Sequence, residues 1–146
     1  MPNHIRHQIR DAAGDAVTGL LTAGTRVFKS RIYPLKDDEM PALLVYTTTE
    51  DSETDGMGDT LGRSLSLIVE GYIKSSATID NQLDQLSAEV ESALATDRTL
   101  GGLTRDCNLA GTEINFTGDG EVPIGVVTMT FLITYFTKMQ TPDVAI

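Results

Sequence analysis

A chain of 146 residues has the length of one ordinary domain, and at that size roughly 68 to 70% of the unfolded surface can be buried, so one core is enough. With 40% hydrophobic and 22% charged residues the composition is that of a globular protein, not a disordered one. A net charge of −10 speaks against nucleic acid as a partner, because phosphate neutralisation needs clustered Lys and Arg.

The chain opens Met1-Pro2-Asn3-His4-Ile5-Arg6, without the continuous apolar core of a signal peptide. No stretch approaches the ~18 to 20 apolar residues of a membrane span, so no membrane partner is expected. The protein should be made and kept in the cytoplasm unless it leaves inside a particle. From Asn3 to Leu21 the apolar residues Ile5, Ile9, Ala12, Ala13, Ala16, Val17, Leu20 and Leu21 recur with the spacing of one helical face. The spacing predicts an amphipathic helix that stops before Gly24. Thr25 to Tyr33 is rich in β-formers, as is Ala42 to Thr48 after the breaker Pro41, which predicts two strands joined by Lys36-Asp37-Asp38-Glu39.

Thr49 to Gly62 holds five acids (Glu50, Asp51, Glu53, Asp55, Asp59), three glycines and no base, with no apolar period, and reads as a flexible acidic loop over 49–62. Arg63 to Lys74 then alternates, with Leu65, Leu67, Val69 and Ile73 on one side, as a half-buried strand does. Ile79, Leu83, Leu86, Val90 and Leu94 mark a second helix, with Thr78 or Ser76 as N-cap and Asp80 near its positive end. Leu109 to Thr117 and Val122 to Thr137 predict a hairpin around Gly118-Asp119-Gly120, a sequence suited to positive φ.

Two helices for five strands, with hairpin-length links, predict one α+β domain over 1–146: a mainly antiparallel sheet of about five strands with two helices packed on one face. On the last strand Val127, Met129, Phe131, Ile133 and Tyr135 should be core. The other face carries Val126, Thr128, Thr130, Leu132, Thr134 and Phe136. It is too rich in threonine for a core and too apolar for an ordinary free surface, which makes it either a subunit contact, a channel wall or a solvated threonine ladder.

Chemical signatures are scarce. There is no Gly-x-Ser-x-Gly elbow, phosphate loop or His-Glu-x-x-His helix, no acid and base pair stands out by spacing, and no cofactor is implied. The protein is expected not to be an enzyme. His4 and His7 lie one helical turn apart, but no further ligands can be nominated, so they read as an exposed helix face. The lone Cys107 can form no intrachain disulfide and reads as a small apolar residue. Asp51-Ser52-Glu53-Thr54-Asp55-Gly56, with Asp59, resembles the start of a calcium loop, but the twelfth position is Gly62 where a bidentate glutamate is required. A solvated acidic loop is the preferred reading, with a Ca²⁺-dependent binding module as the alternative.

Charge is also distributed unevenly. Residues 1–36 hold six basic side chains against two acidic ones, whereas the remainder holds five against nineteen. Copies stacked around a ring could pair one polarity with the other in head-to-tail contacts.

The order of elements, with Arg31-Ile32-Tyr33-Pro34-Leu35 and Met40-Pro41-Ala42-Leu43-Leu44-Val45-Tyr46, resembles the tail-terminator proteins of long-tailed bacteriophages, of the lambda minor tail protein U type. That resemblance implies a homo-oligomeric, hexameric ring in the virion tail, assembled in the host cytoplasm. It caps the tail tube, ends polymerisation and offers a surface for joining the head. The implied partners are further copies of the chain, the major tail-tube protein and the head connector or neck proteins. A tail-tube or head-tail joining subunit is the alternative within the same machinery. No catalytic residue comes with the family. Glu50, Asp51, Glu53, Asp55 and Asp59 of the acidic loop, with Thr128, Thr130 and Thr134, are the candidate partner contacts.

Overall fold

The elements run α1 (Ile5–Ala16), β1 (Val27–Phe28), a 3-10 turn (Asp37–Glu39), β2 (Ala42–Thr54), β3 (Thr60–Lys74), α2 (Ile79–Thr96), β4 (Asp106–Thr117), β5 (Ile124–Lys138) and β6 (Thr141–Ala145). They are seen in a computed structural model that describes residues 3–117 and 122–146. The strands form one sheet in the order β1-β2-β3-β5-β4, with β6 added to the end of β5. Every pairing is antiparallel except that of β1 with β2. The α+β class and the mainly antiparallel sheet follow the periodicity. Gly118-Asp119-Gly120 lies outside the described residues, while the flanking strands meet at Thr117 and Ile124.

The first helix is shorter than its apolar spacing predicts. His4 caps it, its Nδ1 accepting the Arg6 N–H at 3.0 Å. It ends at Val17 because Gly19 and Gly24 take positive φ and close a small turn bridged from Leu20 to Gly24. The second helix starts at Ile79 as its spacing predicts. Thr78 occupies the N-cap in left-handed backbone (φ 50°) without a side-chain cap bond. The hydroxyl that accepts a backbone N–H there belongs to Ser75, from Ala77 at 3.2 Å.

Strand lengths depart from expectation in three places. The segment Thr25 to Tyr33 pairs only at Val27 and Phe28. Beyond them the chain turns across the sheet and stacks the Tyr33 ring on Phe28 with centroids 3.9 Å apart. The predicted loop over 49–62 is mostly strand: the β2–β3 ladder continues to Thr54 and Leu61, leaving Asp55 to Asp59 as the connection. Backbone pairing needs no apolar period, which is why the composition of this stretch concealed it. Thr141–Ala145 was not predicted, being short and half-polar.

The core joins Ile5, Ile9, Ala13 and Val17 from α1 and Leu83, Leu86, Val90 and Leu94 from α2 to alternate residues of the sheet. These include Leu43, Val45, Leu65, Leu67, Val69, Val127, Met129, Phe131, Ile133 and Tyr135. Two glycines make room for α2. A Cβ on Gly71 would lie 2.3 Å from Leu86 Cδ2, and one on Gly125 would lie 2.7 Å from Leu83 Cδ1. A separate small cluster of Leu44, Tyr46 and Ile68 is covered by Phe28, Tyr33, Leu35 and Tyr72.

Candidate assembly surface

One irregularity in β2 decides which acids face outward. Thr47 pairs with Leu67 but Glu50 pairs with Leu65, so one extra residue is inserted and the alternation of faces reverses. Glu50 is thereby turned inward, level with the buried Leu65, while Asp51 and Glu53 pair with Ser64 and Gly62.

The Glu50 carboxylate is the hub of a polar cluster. Its Oε2 accepts from Arg6 Nη1 at 2.7 Å and Arg63 Nη1 at 3.0 Å, and its Oε1 accepts from the Tyr135 hydroxyl. Arg63 Nε donates to Thr137 Oγ1 at 3.1 Å, and Arg63 Nη1 lies 3.5 Å from His4 Nε2. Burial, and then the bond to Glu50, raise the Tyr135 phenol above its ordinary value. Burial, followed by the nearby positive charges of Arg6 and Arg63, lowers the His4 imidazole below 6.5. The cluster ties the start of α1 to β2, β3 and the end of β5, so the base of the long β2–β3 hairpin is pinned. No signal in the sequence marks it, because its members are 133 positions apart at the extremes, from His4 to Thr137.

The other predicted contacts fall into separate places. Asp51, Glu53 and Asp55 come together with Thr134, Arg63 and Phe136 around an open depression of about 680 Å³. Thr128 and Thr130 line a smaller one, about 330 Å³, beside Thr112 and Glu113 of β4. Asp59 lies at the hairpin tip, where its carbonyl accepts the Met139 N–H at 2.7 Å. Asp51 to Thr54 run as extended, paired strand, a geometry that does not wrap backbone oxygens around a calcium ion. Among the described residues no three His, Cys, Asp or Glu side chains converge as metal ligands would. His7 instead sits 3.2 Å from Asp11. Cys107 is buried, and burial pushes its thiol up to about 11, which leaves it protonated and unreactive at neutral pH.

No helix is long and apolar enough to cross a membrane. The two ends of the sheet differ in cover: β1 protects only Leu43 and Leu44 of β2, and β4 has no outer neighbour among the described residues. Every side chain from Asn108 to Thr117 is exposed. This is a small α+β fold with open strand edges among the described residues.

The profile of the phage minor tail protein U family matches residues 4–135, from the α1 cap to the end of the core part of β5, and the chain belongs to that family. It is thus of the tail-terminator type, with a structural role in the phage tail and a place in the virion. Comparison with individual curated proteins gave no match.

Proposed function

We propose that this protein forms a hexameric ring that caps the tail tube, ends tail polymerisation and presents the surface to which the head is joined. The observation that carries the reading is the family match over residues 4–135, which takes in both helices and nearly all of the sheet. Its partners are then further copies of the chain, the major tail-tube protein and the head connector or neck proteins, and it works without catalysis. Assembly takes place in the host cytoplasm.

The sharing of one apolar cluster by α1 and α2 supports the reading that both helices cover the same face of the sheet. The opposite face, with Thr128, Thr130 and Thr134, then remains for a neighbour or a lumen. The hairpin carrying Asp51, Glu53, Asp55 and Asp59 projects beyond the pinned Glu50 and is the contact for the tube or a neighbouring subunit. Phage lacking this protein should assemble tails of uncontrolled length that do not join heads, and supplying it should restore both. Normal tail lengths and joined heads in its absence would overturn the reading. A tail-tube or joining subunit of the same machinery is the second reading, favoured by the same open edges. Purified protein that polymerises into open tubes, where a terminator closes into rings, would select it.

A further inference from the structure

The inner face of β4 is mostly apolar and, beyond the buried Cys107, only partly covered by the described residues. Leu109, Ile114 and Phe116 pair with Phe131, Val127 and Gly125, all buried core positions of β5, and so point to the side on which α2 lies. Yet Ile114 and Phe116 are 44% and 51% exposed. Helix α2 does not cover them, and nearer its C-terminal end it leaves a groove of about 410 Å³ between Glu91, Ala95 and Arg98 on one side and Leu109 on the strand, with Arg98 already paired to Asp106. The helical period places Asp84 and Ala88 in the same row as Glu91 and Ala95. All four are exposed. Along this row of α2 two carboxylates alternate with two small residues, beside the exposed apolar side chains of β4. The outer edge of β4 contains no Lys and no Pro, and its guards against pairing are limited to the bulge between Leu109 and Gly111 and the acids Asp106 and Glu113.

Charge selects the occupant. Ile79 to Thr117 holds seven acids and two bases. Among the described residues, Asp84 and Glu91 take part in no ion pair. On the opposite flank of α2, by contrast, Glu89 is already engaged by the Thr22 N–H at 2.9 Å and hydroxyl at 2.7 Å. At the far end of the sheet, Arg26 to Lys36 holds four bases and no acid. Arg31 and Lys36 are exposed and outside any ion pair among the described residues. Ile32 between them is 88% exposed. A basic segment with a projecting apolar side chain thus lies at one end of the strand order, and an acidic trough beside exposed apolar side chains at the other.

We propose that the trough between α2 and β4 receives the Arg26–Lys36 segment of a second copy of this chain, so that subunits lap head to tail. This rests on the ring reading above and assigns its subunit contact. Two different surfaces at opposite ends of a sheet make a heterologous contact, the kind that closes into a ring when the rotation allows.

The test begins with light scattering on the full chain, alone and bound to purified tail tubes. Ile114→Asp with Phe116→Asp should weaken self-association at least tenfold while leaving the thermal melt unchanged, since both side chains are exposed. Glu91→Arg and Arg31→Glu should each weaken it, and the two together should restore it to within about threefold, as expected when opposite charges face each other across an interface. Independently of these variants, a Cys107→Ser chain carrying Ile32→Cys and Phe116→Cys should oxidise to a ladder of cross-linked multimers. Multimers that persist unchanged in the Asp variant, or a cysteine pair that yields no ladder, overturn this contact and leave the ring reading intact. Loss of tube binding with self-association unchanged also overturns it, because the trough then holds the tube protein. A wild-type chain that stays single both in solution and on tubes overturns the contact and the ring together.

Discussion

Removing the Glu50 carboxylate would leave the guanidinium groups of Arg6 and Arg63 facing each other with no anion between them. The Arg63 side chain is 8% exposed and the Arg6 side chain 42%, so the cost falls mainly on Arg63, whose charge would lose its carboxylate partner at a largely buried position. Glu50→Ala should therefore destabilise the fold by about 3 to 5 kcal/mol, as breaking a buried pair does. Arg6→Ala should cost no more than about 1 kcal/mol, because water screens it. Urea unfolding of the two variants with unchanged slopes would check this order, and equal losses would contradict it. His4 supplies a pH dependence. Its folded-state affinity for a proton is lowered below the ordinary 6.5, so the unfolded chain binds the proton more readily. Its stabilising contribution is present above 6.5 and is lost as pH falls through the lowered folded value. His4→Asn keeps a side-chain cap for α1 and should flatten the fall in stability below about pH 6.5 relative to the wild type. An unchanged slope would show that His4 does not titrate with unfolding.

At the scale of elements, α2 sits close to the sheet only because Gly71 and Gly125 present no side chain beneath Leu86 and Leu83. Gly71→Ala would place a methyl between Leu86 and Val127, whose Cγ1 lies 3.1 Å from the added carbon, and force the helix outward. The expected loss is about 1 to 3 kcal/mol, the cost of overfilling a packed core, read as a lower melting temperature. A Gly111→Ala control, with open space at the corresponding position, should lose less. The β2–β3 hairpin is the other decisive element. Residues 51–54 are laddered to β3, so deleting them would unpair backbone. Only Gly56–Gly58 can be replaced cleanly, because the Asp55 N–H donates to the Thr60 carbonyl at 2.9 Å and the Asp59 carbonyl accepts from Met139 at 2.7 Å. Exchanging that tip for a two-residue Asn-Gly turn should change stability by no more than about 0.5 kcal/mol, as surface changes do, while altering tail length or head joining if the hairpin is the docking element. Unaltered tails would remove the hairpin from that role.

For the whole molecule the relevant feature is an open sheet whose two ends differ in charge and in cover. A single copy leaves Ile32 exposed at one end and Ile114 and Phe116 at the other, an arrangement better suited to neighbours than to solvent. The contact proposed across those ends brings carboxylates opposite guanidinium and ammonium groups, so raising salt from 0.05 to 0.5 M should shift wild-type multimers toward smaller species, the screening length falling from about 14 to 4 Å. Association that strengthens with salt would instead point to an interface held by apolar burial alone.

Much of this fold was legible in the sequence because burial writes a period into it. Ile79, Leu83, Leu86, Val90 and Leu94 announced α2, and Val127, Met129, Phe131, Ile133 and Tyr135 announced the core face of β5, since each must alternate with the geometry of its own element. The family, too, was visible in the order of elements and the phrases around Tyr33 and Pro41. What only the tertiary structure decided lies where periodicity is broken or where partners are distant. A single inserted residue between Thr47 and Glu50 reversed the faces of β2 and drew Glu50 out of an apparent acidic loop into a buried cluster with Arg6, Arg63 and Tyr135. The position of α2 left apolar side chains of β4 only partly covered, a consequence of where a helix lies across a sheet and not of any residue spacing along the chain.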